Sequence, residues 1–172
     1  MKKPQFRSKL NVNQIREYAK KYPASEDREI IRKMAHTVRR RGSLKKNELY
    51  KVCLWKSARS AGKSLKNDPK YVVEVTRNAF ASPNERFRIE SLTILDGVGW
   101  PTASVLLHFF ARDRYPILDV RALWSLGIEG SISYNFPFWN AYTITCQKLA
   151  TKAAVDMRTL DRALWYYSRE NQ

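Results

Sequence analysis

Apolar residues of this chain recur three and four positions apart, and no stretch alternates apolar with polar residues long enough to make a strand. A strand sends successive side chains to opposite faces, whereas a helix gathers positions i, i+3, i+4 and i+7 into one stripe. The spacing therefore predicts an all-α fold. Nothing repeats at a fixed period, so a solenoid is excluded. A short helix is expected over residues 12–21, stopped at Tyr22-Pro23 because the residue before proline is driven out of the helical region. Ser25 is placed to cap a second helix with Ile30, Ile31, Met34 and Val38 on one face, ending at the turn Arg39-Arg40-Arg41-Gly42. Ser43 is placed to cap a third, with Leu49, Val52 and Cys53 inward.

Residues 56–67, KSARSAGKSLKN, are polar, basic and broken by Gly62, which reads as a surface connection or a poorly packed short helix. Asp68-Pro69 and Ser82-Pro83 each set a capping residue before a proline at the first helical position, so each opens a helix. Further helices follow from spacing over 101–112, 119–126, 137–154 and 157–169.

With 172 residues the chain can build one compact domain or two small helical lobes sharing a cleft. The division expected is a basic amino-terminal arm over 1–24 and a single helical domain of two lobes over 25–172. No run approaches the roughly 18 apolar residues of a membrane span, and the first residues lack the apolar stretch of a signal peptide. A cytoplasmic protein is expected, nucleoid-associated if the source is prokaryotic, with no membrane partner. Cys53 and Cys146 lie too far apart to form a metal quartet or an iron–sulfur cluster on their own, and both read as buried, reduced thiols.

Charge points to the partner. The chain carries 32 Lys and Arg against 16 Asp and Glu, a net +16. Residues 1–70 hold 21 basic and 6 acidic residues, whereas 71–172 hold 11 and 10, so nearly all the surplus is amino-terminal. Cations that neutralise phosphates release condensed counterions, which makes such a surplus a footprint for a polyanion. An anionic membrane would call for a basic helix with bulky apolar residues opposite, which the first 24 residues do not show clearly. Neither an RNA-recognition signature nor a repeat is present.

In Leu92-Thr-Ile-Leu-Asp-Gly-Val-Gly-Trp-Pro-Thr-Ala-Ser an apolar helix end runs into Gly97-Val98-Gly99, and a new helix begins at once. Two glycines around one apolar residue allow the turn's backbone to approach another molecule, and the following helix start offers unpaired amides to a phosphate. An ordinary helical hairpin with a glycine turn fits the same residues. After the second hairpin helix comes Tyr115-Pro116-Ile117-Leu118-Asp119, with Asp119 opening a helix that ends at Leu126-Gly127.

Together these two segments, over residues 92–127, resemble the helix-hairpin-helix core of the DNA glycosylase superfamily that includes endonuclease III and the adenine glycosylases. The resemblance covers about a fifth of the chain. It implies a helix-hairpin-helix over 86–112 in which Gly97, Val98, Gly99, Trp100 and Thr102 meet the backbone of double-stranded DNA, with a monovalent cation, Na⁺ or K⁺, on hairpin carbonyls near Gly97 and Gly99. No other cofactor is expected, the two distant cysteines make this a short form without an iron–sulfur cluster, and the chain is taken as a monomer. Asp119 falls at the position of the family's catalytic aspartate. A carboxylate there stabilises the oxocarbenium-like state formed as the base leaves its deoxyribose, and orients or deprotonates the attacking water. As an N-cap, Asp119 also has a purely structural role. Bifunctional members carry a lysine two residues after the second hairpin glycine. Pro101 stands there, so a monofunctional glycosylase is expected, excising a damaged or mismatched base that is extruded from the stack. The alternative keeps the fold and the DNA contacts without catalysis, as a structure-specific or architectural binder.

Three further residues, Trp55, Lys56 and Arg59, combine an aromatic with two cations and are pocket candidates; a buried Trp with solvated neighbours fits equally. Arg39, Arg40, Arg41, Lys45 and Lys46 straddle one turn and are candidates for the phosphate backbone, or a solvated cluster. His108, among Leu106, Leu107, Phe109 and Phe110, reads as a core-edge residue, and the aromatics of the last two helices read mainly as core.

Overall fold

The computed structural model describes residues 5–23, 29–111 and 115–172, the side chains of Glu29, Ile30 and Arg32 excepted. The described residues are helical or irregular, with no strand among them, as the spacing requires. No helix among them is long and apolar enough to cross a membrane. The expected cap at Ser25 and the hairpin limit at Arg112 lie outside the described residues. The chain divides into two compact units, one of residues 28–112 and one of residues 1–27 with 113–172. For brevity these are the hairpin unit and the terminal unit.

The hairpin unit comprises α2 (Glu29–Arg41), α3 (Lys46–Lys56), α4 (Ala58–Ala61), a 3₁₀ turn (Gly62–Lys66), α5 (Pro69–Ala81), α6 (Glu85–Leu92) and α7 (Trp100–Leu106), which continues as a π-helical turn over Leu107–Ala111. Its core is apolar: Val38, Leu49, Val52, Val72, Ile89, Leu92, Val105 and Leu106 are fully buried, each stabilising by roughly 1.5–3 kcal/mol relative to exposure. Helix α3 packs against α5, α7 and the 3₁₀ turn. Two helix starts differ from expectation. Ser43 does not cap α3: it is buried, and its Oγ has no hydrogen-bond partner. The helix begins at Lys46 instead, where Glu48 reaches back to accept the Lys45 N–H at 2.7 Å and pairs with Arg41. Likewise Ser82 ends α5, and α6 is capped by Asn84, whose Oδ1 accepts from the Arg86 and Phe87 amides at 3.0 Å each. At Asp68-Pro69 the expected cap is present.

The terminal unit comprises α1 (Val12–Lys21), α8 (Val120–Ser125), α9 (Phe136–Lys152) and α10 (Met157–Asn171), with α1 and α8 packed on α10. Of the expected basic arm, the described residues 5–23 pack into this unit. Ile15 of α1 is fully buried, and the extended residues before it pair with the end of α8, Arg7 N–H to Leu126 O and Lys9 N–H to Ser125 O at 2.8 Å each. Helix α8 closes with Gly127 at φ +78°, its N–H on Trp124 O and that of Ile128 on Leu123 O, which satisfies two terminal carbonyls. Helix α9 ends in the same way on Ala154, at φ +49°, a conformation a side chain makes unfavourable. Arg16 of α1 donates to the carbonyls of Ala153 and Ala154 there.

Candidate functional site

The hairpin turn is shaped from outside by the segment expected to be a connection or a poorly packed short helix. Of the two readings the helix is found: residues 58–66 form α4 and the 3₁₀ turn, and they brace the hairpin. The Asn67 carboxamide, buried, pairs with both backbone groups of Asp96: its Oδ1 accepts the Asp96 N–H at 2.9 Å and its Nδ2 donates to Asp96 O at 3.0 Å. The same Nδ2 donates to Ser64 O at 2.9 Å, tying hairpin to 3₁₀ turn. Gly97, at φ +81°, lies so close to that turn that a Cβ would stand 2.8 Å from the Ser64 amide nitrogen. Its glycine is therefore required twice, by conformation and by contact.

Val98 is buried and donates its N–H to Leu95 O at 3.0 Å, while Gly99 is the extended N-cap of α7 and has no side chain to offer. An open groove of about 420 Å³ runs over this turn, lined by residues 93–99 together with Ser60 and Lys63. Gly97, Val98 and Gly99 thus lie on one surface; Trp100 and Thr102 do not line it, and Thr102 is buried. Lys63 and Ser60 were not singled out from sequence. The carbonyl of Gly97 accepts from the Cys53 thiol at 3.8 Å and that of Gly99 from the Ala103 N–H at 2.9 Å, so a cation at these two oxygens would share atoms already engaged. Among the described residues no group of three His, Cys, Asp or Glu side chains can hold a metal ion.

Asp119 belongs to the terminal unit. The preceding Tyr115, Pro116, Ile117 and Leu118 are all buried, and the fully buried Tyr142 donates its hydroxyl to Ile117 O at 2.8 Å, pinning the run that delivers the aspartate. Asp119 is half-buried at the N-cap of α8, one carboxylate oxygen accepting the Arg121 N–H at 2.9 Å. Burial, reinforced by the charge of Asp119, raises the Tyr134 phenol above its ordinary pKa. Burial raises Tyr142 further, with Cys146, Asp161 and Asp119 adding to it. Asp119 therefore shares its surroundings with two protonated phenols. Neither tyrosine carried a sequence signal, since both lie on segments whose spacing says only helix or turn.

Among the basic candidates, Arg39 donates from Nε to Phe109 O at 2.9 Å, and Arg41 donates to Ser43 O and pairs with Glu48. Both hold the fold. Arg40 is exposed, and Lys45 and Lys46 line a different groove, of about 440 Å³, with Asn47, Leu65, Pro69 and Val73. Trp55 is half-buried with its ring edge-on to Phe109, centroids 5.7 Å apart, beside half-buried Lys56 and exposed Arg59. His108 is buried within the π-helical turn. Cys53 and Cys146 are free and buried.

Charge follows the hairpin. The hairpin unit carries 18 Lys and Arg against 7 Asp and Glu, a net +11, and the terminal unit 14 against 9, a net +5. In the terminal unit several cations are used internally: Lys9 pairs with Glu129 at 2.8 Å and lies over the Trp124 ring, Lys21 pairs with Glu170, and Arg16 caps α9. Comparison of the chain with protein-family models, with curated proteins and with solved structures finds no match.

Proposed function

We propose that this protein binds duplex DNA and excises a damaged or mismatched base as a monofunctional, helix-hairpin-helix glycosylase-like enzyme, with Asp119 as its catalytic carboxylate. The observation that carries the reading is the seating of Asp119: a half-buried carboxylate delivered by a buried, Tyr142-pinned run to the mouth of a helix, beside the Tyr134 phenol. A carboxylate fixed in partly desolvated surroundings stabilises a developing oxocarbenium charge more than a solvated one, because the medium screens it less. The rigid turn at Gly97-Val98-Gly99, in the more cationic unit, supplies a backbone-phosphate contact that carries no sequence information. Pro101 in the place of an amine leaves hydrolysis, not lyase chemistry, as the reaction. No step runs through a hairpin cation.

A non-catalytic, structure-specific DNA binder on the same residues is favoured by a different observation: Asp119 already has a structural role as the α8 N-cap. One substitution separates the two. Asparagine caps a helix about as well as aspartate, so Asp119→Asn keeps the cap and removes the charge. Measured on a panel of lesion-containing duplexes, the wild type is expected to release free base, and Asp119→Asn to do so about 10²–10⁴-fold more slowly with unchanged duplex affinity. Excision by neither protein across the panel refutes the enzyme and leaves the binder.

A further inference from the structure

The terminal unit carries a cluster of guanidinium groups lying over aromatic rings that begins two residues from Asp119. Arg121 of α8 places its guanidinium carbon 5.3 Å from the centre of the Trp165 ring, and Arg169 of α10 places its own 5.6 Å from the same ring. Tyr22 meets Trp165 edge-on at 5.2 Å, and Arg158 and Arg162 lie over Tyr22 at 5.3 and 5.8 Å. Four arginines thus converge on two half-buried rings. The nearby α10 carboxylates are engaged, Asp161 by Arg158 and Glu170 by Lys21, and neither Arg121 nor Arg169 has an ion pair among the described residues.

Bringing Arg121 and Arg169 to one ring, with no ion pair for either among the described residues, costs Coulomb energy, which an aromatic face offsets only in part, at about 0.5–1 kcal/mol per cation at exposed sites. Each guanidinium carries its N–H donors in a planar fork, and that fork matches the oxygens of a phosphodiester.

We propose that Arg121 and Arg169, held on Trp165, form a second phosphate-binding surface, on the terminal unit, that grips the DNA backbone flanking the nucleotide presented to Asp119. This rests on the DNA reading above and adds a contact that the hairpin does not supply. The test is the salt dependence of duplex binding, between 50 and 200 mM salt, for the wild type, Arg121→Gln/Arg169→Gln and the charge-matched control Lys148→Gln/Lys152→Gln on α9. Each phosphate contact contributes about 0.9 to the slope of log K against log salt. The arginine pair is expected to lower the slope by about 1.8 and the affinity at 0.1 M by about 60-fold, while the lysine pair changes neither appreciably. Arg169→Gln alone, at the exposed end of α10, serves if the double variant does not fold, with an expected change of about 0.9. Equal slopes for the arginine and lysine pairs overturn this surface while leaving the DNA reading intact; a wild type with no salt-dependent binding overturns both. Displacement of the duplex by polyglutamate of equal charge at similar concentration also overturns it, since a carboxylate polymer would then satisfy the site as well as phosphate.

Discussion

Replacing Gly97 by alanine separates two causes that a glycine turn usually confounds. At φ +81° any side chain costs about 1–2 kcal/mol, whatever surrounds it. In addition the new methyl would stand 2.8 Å from the Ser64 amide nitrogen and 3.2 Å from its Cα, both backbone atoms of a buried residue that cannot rotate aside. Forcing the 3₁₀ turn outward is overpacking, worth about 1–3 kcal/mol more, and it pulls on the Asn67 bonds that join the two segments. The sum is about 2–5 kcal/mol. Gly42 provides the control: its φ is +72°, yet a Cβ there meets nothing within 4 Å. Gly42→Ala should therefore show the conformational cost alone, about 1–2 kcal/mol. Urea unfolding of the two variants reads the difference as a shift in midpoint at unchanged slope, and amide exchange at Val98 reports whether the turn itself loosens. Equal destabilisation by the two substitutions would falsify the bracing of the hairpin by residues 62–67.

Burial pushes the Cys53 thiol up to about 11, above the 9.0 of an unburied thiol. The unfolded chain therefore binds fewer protons than the folded one between about pH 9 and 11, and stability should fall across that window by roughly 2–3 kcal/mol, having been fully present below pH 9. Urea midpoints measured at several pH values should show this fall in the wild type and a shallower one in Cys53→Ala; identical profiles would refute it. Ala154→Gly should stabilise the terminal unit by about 0.5–1 kcal/mol, because it relieves a positive φ at the cost of some unfolded-state entropy, and a thermal melt showing a loss instead would contradict the assignment of strain.

What the sequence made legible was what local physics decides. The stop at Tyr22-Pro23, the Asp68 cap, the glycine end of α8 and the capping aspartate at position 119 each follow from one or two residues, and each is where the spacing put it. The misreadings are of another kind. Ser43 and Ser82 have the chemistry of caps, but neighbours with better geometry, Glu48 and Asn84, do the work. Residues 56–67 are polar and basic in composition, and nothing local reveals that Ser64 and Asn67 meet Asp96 and Gly97, some thirty residues on. Nor does charge counting tell a cation that faces solvent from one that caps a helix: Arg16, Arg39 and Arg41 all add to the basic surplus, and all three hold backbone carbonyls.

The terminal unit is discontinuous, its first helix made before residue 28 and the helix it packs on made after residue 156. During synthesis at about 5–20 residues per second, α1 therefore waits roughly 7–30 s before α10 leaves the ribosome. The hairpin unit, whose helices contact one another within a continuous stretch, can fold in that interval. Ile15 and the aromatic face of α1 remain without their native cover until α10 emerges, so a nascent chain stalled after α9 exposes them to chaperones and proteases.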